Sequence, residues 1–161
     1  DNARSCVLRV DTAGAGVLLT GDIERLSEMN LRERAQPLAA EVLVVPHHGS
    51  ASSSTAEFLA AVRPRHLVIP VGHRNRYGHP HPEVLARYRA LGAPIWRTDR
   101  DGAVTLRLGR EGVAVERARE MQRRYWRRWS MRGCTREVPC SVVTGRIWCG
   151  SRSWRLSRWR C

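Results

Sequence analysis

Residues 42–45, VLVV, are an unbroken run of apolar, mostly β-branched side chains that ends at Pro46 and leads straight into His47, His48, Gly49 and Ser50. A strand with no polar alternation must be buried on both faces, which is the habit of parallel sheets covered on both sides. The run therefore needs strands beside it and layers above and below. The flanking sequence supplies them in alternation. Ser5–Val10 reads as a strand, Asp11–Gly14 as a turn and Gly16–Thr20 as the returning strand of a hairpin. Residues 24–35 read as a short helix ended by Pro37. A second helix over Ala56–Val62 is capped by Ser53 or Ser54 and stops before Pro64. His66–Val71 is the next buried strand. Pro82 opens a third helix, PEVLARYRAL, with Val84, Leu85, Tyr88 and Leu91 on one face and Gly92 as its stop. Pro94–Arg97, Ala103–Leu108 and Val113–Glu116 complete the strands, with turns at Arg100–Gly102 and Gly109–Gly112. Strands alternating with helices predict an α/β sheet with helices packed on it.

Charge divides the 161 residues into two parts. Residues 1–116 carry 15 arginines against 13 acids, and residues 117–161 carry 13 arginines against two. No lysine is present. The basicity belongs to the tail, so a charge argument for nucleic-acid binding applies to the tail and not to the fold. Residues 1–116 read as the folded domain. Residues 117–161 read as a basic Arg/Trp/Cys-rich tail, disordered or non-native, although arginines interleaved with Trp126, Trp129, Trp148, Trp154 and Trp159 could also stack on bases and neutralise phosphates. Cys6 stands alone, and Cys134, Cys140, Cys149 and Cys161 have irregular gaps that fit neither a disulfide framework nor a zinc knuckle. No apolar run approaches the roughly 20 residues that cross a bilayer, and no signal peptide is visible. The expectation is a soluble segment. Its start at Asp1 suggests a piece excised or truncated from something longer.

Three strand ends carry the reactive side chains. LLTGD ends in Asp22; VVPHHGS brings His47, His48 and Ser50; IPVGHRNRYGHPHPE brings His73, His79 and His81. Ligands of open α/β sheets collect beyond the carboxyl ends of the strands. Imidazole nitrogen with carboxylate oxygen suits zinc, manganese or iron, and two such ions can clamp the attacking and leaving oxygens of a phosphoryl or acyl transfer. Ser50 and the amides after Gly49 could receive an anionic oxygen. Structural alternatives stand beside these roles. Asp22 could cap the following helix, His81 could be the N-cap at Pro82, and His66, Asp99 and Asp101 read as structural. From an extended chain His47 and His48 cannot both point the same way.

The segments VLLTGDIE, VLVVPHHGSASSS, VRPRHLVIPVGHRNRYGHPHPEVLARY and WRTDRDGAVTL together resemble the C-terminal half of the metallo-β-lactamase-like domain of ComEC-type DNA-internalisation competence proteins. The resemblance covers about residues 3–108. It implies a partial αββα metallo-hydrolase fold, attached in the intact protein to an inner-membrane channel that admits single-stranded DNA. It implies a metal-dependent nuclease acting on the strand that is not imported, with a divalent metal, Zn or Mn, and no small-molecule cofactor. Asp22 matches the bridging aspartate, and His48 and His79 match later metal-site histidines. His47 and Ser50 come across as neighbours of the reacting phosphate. The partners implied are DNA, the N-terminal half-domain and the membrane channel. The family's H-x-H-x-D-H loop is not in these 161 residues, so weak metal affinity and little hydrolysis are expected of the chain alone. An apolar sheet face left uncovered is expected as well. The alternatives are a non-catalytic DNA-binding or assembly module and a small-molecule metallo-hydrolase of the same superfamily.

Overall fold

The computed structural model describes residues 2–34, 37–121, 143–149 and 152–159, the last two segments as backbone alone. Strands β1 (Val7–Asp11) and β2 (Gly16–Leu19) form an antiparallel hairpin. Thr12 closes its turn, donating its N–H to the Ala15 carbonyl at 2.9 Å. From β2 the chain builds parallel strands β3 (Val42–Val44), β4 (His66–Ile69) and β5 (Ile95–Arg97), each in register with the one before. Helices α1 (Arg25–Glu33), α2 (Ala56–Val62) and α3 (Pro82–Ala90) make the three crossovers. The mixed α/β sheet expected from the alternation is observed.

Side chains alternate across the strands and sort into two cores. Leu18, Leu43, Leu67 and Ile69 face the helices and pack with Leu31, Phe58, Leu59, Val62, Val84 and Tyr88. Complete burial of a leucine or phenylalanine contributes roughly 1.5–3 kcal/mol relative to exposure, so this layer fixes the helices on the sheet. Val17, Val42 and Val68 face the other way, with Val44 and Trp96 beside them. That face was expected to lie uncovered. It is not: strands β6 (Val104–Gly109) and β7 (Gly112–Arg117) fold into a hairpin whose Leu106, Leu108 and Val113 pack on those valines. The hairpin's turn lies so close that a side chain on Gly14 would run into the Gly109 carbonyl oxygen.

Local expectations needed three further corrections. The cap of α2 is Thr55, which accepts from the Phe58 N–H at 3.3 Å, and not Ser53 or Ser54. Ser54 has left-handed backbone and joins its hydroxyl to Tyr88 instead, 2.5 Å away. The expected turn at 100–102 is the end of a single helical turn, α4 (Thr98–Asp101), with Gly102 after it in positive-φ backbone. Cys6, which the sequence leaves alone, is disulfide-bonded. Within the tail, α5 (Ala118–Met121) follows β7, and β8 (Val143–Cys149) and β9 (Arg152–Trp159) extend the sheet from β1 in the order β5-β4-β3-β2-β1-β8-β9. The rest of the stretch expected to be disordered or non-native lies outside the described residues. Among the described residues no helix is long and apolar enough to cross a membrane.

Candidate functional site

Because β2, β3 and β4 are parallel, their carboxyl ends share one edge of the sheet, and the loops that leave it are tied to one another. Buried Thr20 donates from Oγ1 to the Val44 carbonyl at 2.7 Å. The His47 N–H donates to the Gly21 carbonyl at 3.0 Å, linking the Asp22 loop to the histidine loop. The His81 N–H reaches the Gly49 carbonyl at 2.8 Å and links that loop to the third. At the centre is a 3₁₀ turn over Pro46–Gly49 whose last three residues are all left-handed, with φ of 49° at His47, 54° at His48 and 82° at Gly49. This conformation answers the problem posed by adjacent histidines. The chain is not extended there, so both rings come to the same rim, 6.4 Å apart between centroids.

His79 completes a triangle of imidazoles, 5.9 Å from the His47 ring and 6.5 Å from the His48 ring. Asp22 Oδ1 lies 3.8 Å from His48 Nε2, both side chains half-exposed. His48 Nδ1 is 2.6 Å from the Pro70 carbonyl oxygen. A carbonyl can only accept, so Nδ1 carries a hydrogen there, and Nε2 is the ring nitrogen turned to the Asp22 side. Burial, with His47, His48 and His81 adding to it, holds the His79 imidazole below the usual range, which disfavours its charged form. His47 Nδ1 stands 3.2 Å from Glu24 Oε1, within ion-pair range but off the direction of a hydrogen bond. Glu24 itself is held below the usual carboxylate range, first by the hydrogen bond from Asn2.

Ser50 is more engaged than its sequence position suggested. Its N–H donates to the His47 carbonyl at 2.9 Å, and its hydroxyl lies 3.1 Å from that of Ser52. The Ser53 N–H donates to the Ser50 carbonyl. The amides of Ser50 and Ser53 are therefore already bonded within the loop. His73 is exposed, and His81 is the N-cap of α3 by position without a capping bond from its side chain; its Nδ1 is buried and unpartnered. His66 sits apart under Trp96, whose Nε1–H donates to His66 Nδ1 at 3.3 Å.

Three supporting residues had no functional reading in the sequence. Glu24 reads as a helix start, although it follows Asp22 by only two residues. Asn75 clamps the backbone of His79 at both ends, accepting its N–H at 2.9 Å and donating to its carbonyl at 2.8 Å. An Asn among turn residues is the one available signal for such a clamp. Glu28 is completely buried on α1 and accepts from the Ser54 N–H, the Thr55 N–H and Thr55 Oγ1 at 2.5, 2.9 and 2.7 Å, pinning the serine loop.

No family model matches the chain. Over 129 residues, 80% of the chain, it is 43% identical to Competence protein ComA of Neisseria gonorrhoeae. The chain is related to competence proteins. It is also 37% identical over 106 residues to ComE operon protein 3 of Bacillus subtilis (strain 168), using 66% of the chain, and 33% identical over 119 residues to Recombination protein 2 of Haemophilus influenzae, using 74%. It spans only 18%, 14% and 15% of these three proteins.

The donor chemistry of the rim can be tested against a divalent metal. Asp22 offers a half-exposed carboxylate, His48 an Nε2 oriented toward it and His79 a ring whose charged form is disfavoured. These are metal-ligand types. Among the described residues, however, no three His, Cys, Asp or Glu side chains converge closely enough to hold an ion. The donor types suit a divalent ion, but the described residues do not bring a complete set together.

Proposed function

We propose that this chain is the C-terminal half of a metallo-β-lactamase-like hydrolase domain in a competence protein, and that the complete domain cleaves phosphodiester bonds of the DNA strand that is not imported. The observation that carries the reading is the pairing of Asp22 with an oriented His48, beside His79, on the rim of a parallel sheet. That rim lies in a chain 43% identical to a competence protein. Asp22, His48 and His79 would hold Zn or Mn, with the remaining donors supplied by the N-terminal half-domain. A bound divalent ion supplies Lewis-acid stabilisation of phosphate oxygens and a nucleophile at neutral pH.

The chain's own residues do the rest. The Pro70 carbonyl fixes the orientation of His48. Asn75 holds the His79 backbone, and Glu24 stands behind His47 so that its ring faces the same rim as the other two. His47 and Ser50 border the position of the reacting phosphate. The partners on this reading are DNA, the N-terminal half-domain and an inner-membrane channel; this segment, which gathers no three donors among its described residues, binds metal weakly and hydrolyses little by itself.

The test uses the complete protein loaded with Mn or Zn and a labelled DNA substrate. Asp22→Ala should lower cleavage on the order of 100-fold or more, the scale of losses at metal sites. Equal cleavage by Asp22→Ala would refute the assignment. A second reading, a DNA-contacting or assembly module without catalysis, is favoured by the absence, among the described residues, of three converged donors. It expects no metal-dependent cleavage from either form, with DNA retention unchanged by the Asp22 substitution.

A further inference from the structure

The loop that delivers His79 carries a second feature that neither the metal ligands nor their supports explain. Tyr77 is 70% exposed, so it contributes little to the core. Its ring runs nearly parallel to that of His79, with 19° between planes and 6.1 Å between centroids. The Arg76 guanidinium carbon lies 5.3 Å from the Tyr77 ring centroid, and Arg76 donates to the Tyr77 hydroxyl at 3.2 Å. Gly78, with φ of 69°, bends the chain between Tyr77 and His79, and no atom lies within 4 Å of where a side chain on it would begin. Arg74, also exposed and left-handed, stands on the other side of Asn75. A largely exposed aromatic ring, two arginines and free space adjoin one of the rim's imidazoles.

Exposed aromatic rings next to arginines are the chemistry that receives unpaired bases: the base stacks on the ring while the cations meet the phosphates on either side. A paired base has both faces covered by its neighbours in the duplex and cannot use such a ring. We propose that Tyr77 is the stacking platform for one unpaired nucleobase, with Arg74 and Arg76 on its flanking phosphates, so that the rim takes single-stranded in preference to duplex nucleic acid. The proposal rests on the hydrolase reading above for the meaning of the neighbouring rim, and it adds the form of the substrate. Arg76, which covers part of the ring in the free protein, would move to the phosphate when a base takes its place.

The test is binding by the complete protein in the presence of a chelator, read by fluorescence anisotropy. The probes are a labelled oligothymidylate, its duplex with oligoadenylate, and the same single strand carrying abasic positions. Tyr77→Ala should weaken binding of the single strand about tenfold, the scale of one base–aromatic stack, and leave the duplex unchanged. Tyr77→Phe should bind like the parent protein, since it keeps the ring. The abasic strand should bind the parent as weakly as the intact strand binds Tyr77→Ala. The proposal is overturned if Tyr77→Ala binds the single strand normally, if it loses both forms equally, or if Tyr77→Phe falls with it. Cleavage by Asp22→Ala is read separately. Normal cleavage there with a Tyr77 effect on binding would sink the hydrolase and keep the platform, and the reverse pattern would do the opposite.

Discussion

Gly49 is the position where one added methyl group should do most harm to the rim. Its φ of 82° lies in the left-handed region, and a Cβ there would meet Pro80 Cβ at 2.7 Å and Pro80 Cα at 3.3 Å. Left-handed backbone costs an alanine about 1–2 kcal/mol, and forcing a methyl group into a filled contact costs about 1–3 kcal/mol more. Pro80 is buried and ring-closed, so it cannot rotate aside as a flexible side chain would. Gly49→Ala should therefore destabilise the chain by about 3 kcal/mol, which for a protein of this size lowers the melting midpoint by roughly 6–12 °C. The relief available is to separate the histidine loop from the His79 loop, which also stretches the bond from the His81 N–H to the Gly49 carbonyl. The assay is thermal unfolding followed by circular dichroism, with Gly72→Ala as the control. Gly72 has no atom within 4 Å of its virtual Cβ and no left-handed backbone, so that variant should melt within a degree or two of the parent. Equal midpoints for the two variants would refute the close-contact account of Gly49.

Two other outcomes follow from the same accounting of contacts. Glu28→Ala removes the acceptor for the Ser54 N–H, the Thr55 N–H and the Thr55 hydroxyl in a fully buried place; it should cost about 3–5 kcal/mol in urea unfolding, with Glu28→Gln costing less, and a loss under about 1 kcal/mol would contradict the pinning role. His66 is held below the usual imidazole range by burial, so the unfolded chain binds its proton more readily: stability should be level above about pH 6.5 and fall as the pH drops from there through the lower folded value. Melting scans at stepped pH should show a shallower fall for His66→Gln, and identical slopes would count against the assignment.

The sequence made the scaffold legible because its pattern is redundant. VLVV can be buried on both faces in few ways, and Val42 and Leu43 do point to opposite cores. Pro82 and Gly92 bracket α3 as their backbone preferences require. The covering of the second face was harder to foresee, because LRL and VAV in β6 and β7 look like any amphipathic hairpin until their partner is known. The choice of Thr55 over Ser53 and Ser54 as cap was hidden for a similar reason. All three are cap-forming types, with serine the better of the two, and the outcome turns on Glu28 and Tyr88, which are more than 25 residues away in sequence. The rim was legible as a list of donors at strand ends but not as a geometry, since left-handed histidines leave no mark in the sequence and Glu24 and Asn75 act only through distance.

Those two left-handed histidines also bear on why the rim is built as it is. A non-glycine residue held there costs about 1–2 kcal/mol, and such a conformation persists only where the surroundings over-determine it. The surroundings do so here: His47 is held by its N–H on Gly21 and its carbonyl under the Ser50 N–H, His48 by its ring on Pro70, and Gly49 by Pro80 and the His81 N–H. Folding alone gives no reason for imidazoles in these places. Glycine or asparagine would adopt the same turn with less strain, and neither ring is buried enough to hold the core together. The bonds from the backbone of this turn would survive such a replacement, whereas the ring nitrogen Nε2 held beside Asp22 would not. What the strain secures is the direction of two rings, and a direction matters for a side chain that has to meet a ligand.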